Sequence, residues 1–434
     1  MKIFYSIILS IILFFPKVNI INLPGTYIGI RIEDVLALAF VIIYVIKENK
    51  KLKGLFTDNN MKKTLMFFGI YIFVCFVSTI NGIINEIIDI KMSLLYLLRK
   101  IEYFIFIFIG YDMVKKEKDL KFIFNILNIS IIIHFIIAVL QRLNIVGGFI
   151  NGGYLIHTGR VFSTFNGPYE FATYFTLILP LYIMRLLKSK KHIEKILYLI
   201  FTGMILIGIF LSQSRTSLIL AIFEIISIPL IKNKSILLQF IKKKKLISST
   251  VIIISITVLI VAGSLILKTG RFKTLNLSSI MDTIKISWEN KNFERYKKEG
   301  FYLLGEENTD LSFKIRINKW MALIDGTMNH PIFGLGLSVT KEACDGNYIR
   351  ILAESGILGF LAWLCLIISI LKNTYKCEDD INFIANYDMI ILLLTAIFID
   401  VFEASKIMMF YWLILGAAYA HNNIINKERE KGEE

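Results

Sequence analysis

Charged side chains are scarce in this sequence: Asp, Glu, Lys and Arg make up 19% of its 434 residues, while 56% are hydrophobic. Soluble domains run closer to a quarter charged, which argues against a soluble globular protein. Only 6 prolines and 26 glycines are present, too few for a disordered or collagen-like chain. Histidine is thinly spread (His134, His157, His192, His330, His421), with no HExxH or similar pair. The cysteines Cys75, Cys344, Cys365 and Cys377 show no paired spacing. Cys75 and Cys365 fall in apolar runs, Cys377 falls in a lysine-flanked loop, and Cys344 reads as external. No disulfide framework, metal centre or cofactor is expected from these residues.

What the chain has in abundance is apolar sequence, with a mean hydropathy of +0.65. It falls in blocks at 3–16, 28–46, 64–82, 93–112, 122–141, 167–184, 196–211, 216–231, 247–267, 349–371, 386–402 and 407–421. A helix rises about 1.5 Å per residue, so a block of about 20 residues crosses a hydrocarbon core of about 30 Å. The expected fold class is therefore all-α and polytopic, with about 12 transmembrane helices.

The net charge of +15 follows the connections between blocks. Lys47 to Lys63, Lys115 to Lys121, Lys188 to Lys195, Lys232 to Lys245, Lys372 and Lys376, and the tail from Lys427 to Lys431 alternate with lysine-poor loops. By the positive-inside rule, both termini and these connections are cytoplasmic in an inner, cytoplasmic membrane. The positive charge then reads as topology and contact with anionic membrane lipids, and not as nucleic-acid binding. Lys2 precedes an apolar run with no small-residue cleavage site, which reads as a retained first helix.

Three segments follow from this pattern: helices 1–9 in 1–267, an outer loop in 268–347, and helices 10–12 with a tail in 348–434. The loop exceeds what a connector needs. Within it, Phe313, Ile317, Trp320, Met321, Ile324 and Met328 recur at helical spacing, predicting an amphipathic helix that ends before Pro331. As a membrane-surface helix it would use Trp320 as an interfacial anchor.

Ionisable residues inside or at the outer ends of apolar blocks must be paired or face a wet cavity. Arg99, Lys100 and Glu102 stand in block four, with Arg99–Glu102 a candidate register pair. Asp400, Glu403 and Lys406 share a tight turn, with Asp400–Lys406 a second candidate pair. Asn166, Glu170 and Tyr174 fall on one helical face, and Asn347, Arg350 and Glu354 form a polar stripe in which Arg350 can pair with Glu354. Arg215 sits in SQSRTS, and Arg160 and Arg316 share its side of the membrane. Arginine binds phosphate through a planar fork and stays charged when partly desolvated. Such a cationic cavity suits a pyrophosphate-bearing lipid.

The stretches GRVFSTFNGPYEFATYF (159–175), LSQSRTSLILA (211–221), RINKWMALIDGTMNHPIFGLG (316–336) and DGNYIRILAESGILGFLAWL (345–364) resemble the bacterial O-antigen polymerase and O-antigen ligase superfamily. The resemblance implies a GT-C-like fold and metal-independent glycosyl transfer from an undecaprenyl-pyrophosphate-linked glycan at the outer face of the cytoplasmic membrane. It places Arg160, Arg215 and Arg316 among the arginines that hold the pyrophosphate. Chain-length regulator and flippase proteins are the further expected partners. Family ligases usually carry a histidine just before block ten, where this sequence has Asp345, Gly346 and Asn347. His330 belongs to a more widely shared His-Pro-x-x-Gly stretch.

That departure favours a repeat-unit polymerase for O-antigen, capsule or exopolysaccharide. The alternatives are ligase-type transfer to another acceptor, a lipid-linked sugar transporter or flippase, and a non-catalytic scaffold. The expected catalytic residues are Arg215, Arg316, Glu170, Asp345 and Glu354, with the carboxylates as candidate bases. The expected substrate-binding residues are Arg160, Asn166, Tyr174, Asn347 and Arg350.

Overall fold

The computed structural model describes residues 9–10, 13–16, 19–22, 29–47, 58–116, 119–148, 159–232, 277–300, 302–306, 309–341, 343–375 and 379–432. Apolar block 247–267, the Lys242 to Lys245 run and Cys377 lie outside them, as does most of block 3–16. A short antiparallel ribbon pairs β1 (Asn19–Asn22) with β2 (Gly29–Arg31). Most of the rest of the described structure is helical: α1 (Ile32–Lys47), α2 (Asn59–Ile84), α3 (Ile90–Met113), α4 (Asp119–Arg142), α5 (Pro168–Lys188), α6 (His192–Ser212) and α7 (Arg215–Lys232). After these come α8 (Leu277–Glu289), α9 (Phe293–Glu299), α10 (Leu311–Asn329), α11 (Asn347–Tyr375), α12 (Asp380–Thr395) and α13 (Ser405–Gly432).

The expectation of about 12 spans is not met. Among the described residues five helices are long and apolar enough to cross a membrane: α2, α4, α5, α6 and α11. Other apolar blocks do form helices, but with features that an apolar count passes over. The block at 93–112 becomes α3, which carries Arg99, Lys100 and Glu102 in mid-helix. Glu224 interrupts the 18 residues of α7, which begin at Arg215 and end at Lys232, while α1 and α12 have only 16 residues each.

Packing follows from small residues and inward aromatics. α13 lies along α3, with Gly110 against the Leu413 carbonyl and Gly416 against that of Ile107. A Cβ at either glycine would fall about 2 Å from the facing oxygen, so the two backbones meet only because both residues are glycine. α2 packs on α11, and α5 packs on α6 and α7. Phe165, Phe171, Tyr174 and His134 form an aromatic cluster beneath the segment 159–167.

The stretch His330–Gly336 explains the shape of α11. This helix is broken at Gly356, which has φ 63°. The segment after α10 fills the break: Leu335 and Gly336 donate to the carbonyls of Ala353 and Glu354 at 2.7 and 3.0 Å. In turn the amides of Ile357 and Leu358 donate to the Pro331 and Ile332 carbonyls at 2.9 and 3.2 Å. Four backbone groups beside the kink thereby find partners in a single strap. Gly334, at φ 71°, and Gly356 touch here, and a Cβ on either would lie 2.5 Å or less from backbone of the other segment.

α10 does not bury the stripe read from its spacing. Ile317, Asn318, Ala322, Leu323, Gly326 and Thr327 face inward, and Met328 is exposed. Trp320 donates to the Cys344 carbonyl at 3.0 Å, and its ring closes over Gly346. It therefore packs onto the protein instead of serving only as an interfacial anchor. Cys344 is buried, and burial pushes its thiol well above the ordinary range.

Candidate functional site: an arginine-lined cavity

The segment before α5 is pinned by α4. Gln141 Oε1 accepts from the amides of Phe162 and Ser163 at 3.1 and 2.8 Å, and its Nε2 donates to the Ser163 carbonyl at 3.0 Å. His134 Nδ1 meets Ser163 Oγ at 2.9 Å. This strap runs beside the α6–α7 turn, where Arg160 Nε donates to the Ser212 carbonyl at 3.0 Å. The turn itself follows from its serines. Gln213 closes α6 in a left-handed conformation, and Ser214 opens α7, its Oγ accepting the Ser217 amide at 3.4 Å. Arg215 is thereby the first residue of α7. A cation at the positive end of a helix is unfavourable by itself, so the position favours an incoming anion.

A cavity of about 690 Å³ opens against this turn. Arg215, Thr216 and Gln213 line it from the α6–α7 turn, Tyr169 from α5, and Asp310, Ser312 and Arg316 from the start of α10. Arg215 and Arg316, which are 101 positions apart, thus share one wall. Arg160 is buried behind it; its guanidinium lies 4.5 Å over the Tyr169 ring and donates to Tyr169 Oη at 3.3 Å. Tyr169 also engages Arg316. Arg316 Nε donates to Asp345 Oδ2 at 3.0 Å. Burial opposes the Arg316 charge, but the Asp345 carboxylate and Tyr169 together outweigh it and hold the guanidinium above its ordinary range.

The remaining wall is hydrocarbon: Ile219, Leu220 and Phe223 from α7, and Ile390, Leu394, Ile397 and Phe398 from α12 and the turn after it. Arg215 and Phe223 are eight positions apart, or about 12 Å along the axis. The cavity therefore grades from guanidinium to alkyl over that distance, and Ile219, Phe223 and Ile397 are also exposed on the outer surface.

The other expected site residues lie elsewhere. Arg350 and Glu354 pair as their spacing indicates, at 3.0 Å, inside a buried network. Arg350 NH1 also meets Asp400 Oδ2 at 3.0 Å, and Lys100 pairs with Glu403 and approaches Glu354 at 4.0 Å. Asp400 accepts from the amides of Cys344 and Gly346 at 2.6 and 3.0 Å, while Lys406 donates to the Thr164 carbonyl at 3.1 Å. Arg99 donates to the Gly29 carbonyl at 3.1 Å.

Asn347 Oδ1 accepts the Phe402 amide at 2.9 Å. Tyr174 lies in the aromatic core and hydrogen-bonds Ser130 at 2.5 Å. Asn166 precedes α5, and Glu170 stands half-buried in its first turn; neither lines the cavity.

Tyr169, Gln213, Asp310 and Ser312 were not legible as site residues, because a tyrosine or an N-cap aspartate carries no signal until the chain folds. Asp310 in particular reads as a capping residue.

None of the curated proteins compared matches the chain. Residues 200–364, which span the α6–α7 turn, α10 and the first part of α11, match the family model described as O-Antigen ligase. The match covers 165 of the 434 residues and agrees with the superfamily that the motifs resemble.

Proposed function

We propose that this protein transfers a glycan from a polyprenyl-pyrophosphate carrier, undecaprenyl pyrophosphate by the family resemblance, to an acceptor hydroxyl in the manner of an O-antigen ligase. One observation carries the reading: Arg215 and Arg316 line one cavity whose far wall is apolar. That pairing suits a lipid with a doubly charged head, the head on the guanidinium groups and the chain along α7 and α12. The matched family favours ligase-type transfer. The reaction is placed at the outer face of the cytoplasmic membrane, with 268–347 outside and both termini inside, as the loop charges suggest.

In the transfer, the acceptor oxygen attacks the anomeric carbon and the carrier pyrophosphate departs. Charge accumulates on the leaving oxygens, and fixed guanidinium groups stabilise it without reorganising. A direct displacement inverts the anomeric centre. Arg160 and Tyr169 back the cavity-lining arginines and keep their geometry.

Repeat-unit polymerisation is the second reading. It is favoured by Asp345–Gly346–Asn347, which stand where family ligases carry histidine. The two readings differ in product. Loss of a ligase leaves long glycan on the polyprenyl carrier, whereas loss of a polymerase leaves single units on the final acceptor. The common reading is tested by binding of undecaprenyl pyrophosphate to purified protein and to its Arg215→Ala and Arg316→Ala variants. Weakened binding in both supports it; parental binding and turnover in both would overturn it.

A further inference from the structure

The transfer needs a group to take the proton from the acceptor hydroxyl. The expected carboxylates are poorly placed for it. Glu354 is buried in the Arg350–Lys100 network, Glu170 does not line the cavity, and Asp345 is engaged by Arg316. One carboxylate does line the cavity alongside Arg215 and Arg316: Asp310, the residue that opens α10. Its Oδ1 accepts the Phe313 amide at 3.1 Å, which fixes the direction of the side chain. Among the described residues Asp310 forms no ion pair, and its second oxygen has no hydrogen-bond partner. It is half-buried at the polar end of the cavity, next to Ser312 and on the same helix as Arg316.

We propose that Asp310 is the general base of the transfer, a catalytic role that rests on the glycan-transfer reading above. The acceptor O–H gives its proton to the free oxygen of Asp310 as its oxygen bonds to the anomeric carbon. The bond from that carbon to the carrier phosphate breaks, and its electron pair leaves on the pyrophosphate, which Arg215 and Arg316 receive. The proton then passes from Asp310 to water. Cap and base are compatible in one carboxylate because they use different oxygens. The cap holds the second oxygen still, and such positioning gives a general base its effectiveness.

The test separates these two jobs. Asparagine caps a helix about as well as aspartate, so Asp310→Asn keeps the fold of α10 and removes only the proton acceptor. Purified wild type and variant are reconstituted into native membranes that carry radiolabelled polyprenyl-pyrophosphate-linked glycan and the natural acceptor. Binding is measured separately with undecaprenyl pyrophosphate.

The expected result is a turnover loss of about 100-fold or more, with undecaprenyl pyrophosphate affinity within about threefold of wild type. Asp310→Glu should recover part of the rate. Asp310→Ser, which also caps, should behave as the asparagine variant does and guards against a folding artefact in either one. Turnover of Asp310→Asn or Asp310→Ser within about threefold of wild type overturns the proposal while leaving the arginine cavity intact. A wild-type protein that neither binds undecaprenyl pyrophosphate nor transfers glycan overturns the functional reading itself, and the role of Asp310 with it.

Discussion

Arg316 shows how a single side chain can serve two partners. Its Nε holds Asp345 at 3.0 Å while the residue also faces the cavity. Lysine keeps the charge but not the planar fork. Arg316→Lys should therefore retain part of the undecaprenyl pyrophosphate affinity, and Arg316→Ala should slow transfer about 100-fold, equivalent to about 3 kcal/mol of lost stabilisation. Steady-state turnover of the two folded variants checks this, and wild-type activity in Arg316→Lys would exclude a geometric role for the fork. Tyr169 offers a finer probe, since Tyr169→Phe keeps the ring under Arg160 and removes only the hydroxyl that Arg160 reaches at 3.3 Å. Removing one such hydrogen bond costs about 0.5–1.5 kcal/mol net, so affinity for undecaprenyl pyrophosphate should fall only a few-fold. A loss approaching that of Arg316→Ala would assign the hydroxyl a direct contact with the phosphate. The arginines were legible as charges out of place in an apolar sequence, whereas Tyr169 was not, because its role consists of two guanidinium groups brought to it by other segments.

At the scale of elements, the break in α11 and the strap that fills it form one unit. The sequence shows the glycines and Pro331 but not that Gly334 and Gly356 touch, since that contact joins segments 22 positions apart. Alanine at Gly356 would hold a left-handed φ, which costs about 1–2 kcal/mol, and would also press its Cβ to 2.3 Å from the Ile332 oxygen. Gly356→Ala should therefore lower the thermal midpoint in detergent and move the start of α11 relative to α10. Gly203→Ala, in a helix with open space around the new methyl, serves as the control and should leave the midpoint nearly unchanged. A Gly356→Ala protein as stable as that control would show that the kink is not obligatory. The surface-helix reading of α10 falls short at this scale too: spacing gives a helix, but the face it buries is chosen by α9, α11 and the 344–346 loop.

Across the whole molecule, buried charge ties distant helices together. Lys100 on α3, Arg350 and Glu354 on α11, and Asp400 and Glu403 beyond α12 form one chain of buried ion pairs. Lys100→Met would leave Glu403 without its cation, and breaking a buried pair from one side typically costs about 3–5 kcal/mol. A clear fall in thermal midpoint is expected, with partial recovery in the Lys100→Met, Glu403→Gln double variant; a midpoint unchanged in the single variant would mean that water reaches the network. Glu224 and Asp388 pose the opposite case. Both are fully buried on α7 and α12, and none of their carboxylate oxygens has a hydrogen-bond partner among the described residues. Because an unpartnered buried carboxylate is costly, Glu224→Gln or Asp388→Asn should leave stability unchanged or raise it. A marked loss would reveal a partner outside the described residues.

The sequence alone determined that this chain is helical and apolar, and its ordered motifs pointed to the O-antigen superfamily, because hydropathy and local spacing are properties of neighbouring residues. It also singled out Arg160, Arg215 and Arg316. It overcounted the spans, since apolar runs conceal charges that helices such as α3 and α7 carry inward. Only the tertiary structure decided that Arg350 and Glu354 belong to a buried network while Arg215 and Arg316 share a cavity, and it brought Asp310 and Tyr169 to that cavity. Those residues come from α5, the α6–α7 turn and α10, and no local rule of periodicity or charge records which helix ends will meet once the glycine contacts and buried ion pairs have set the packing.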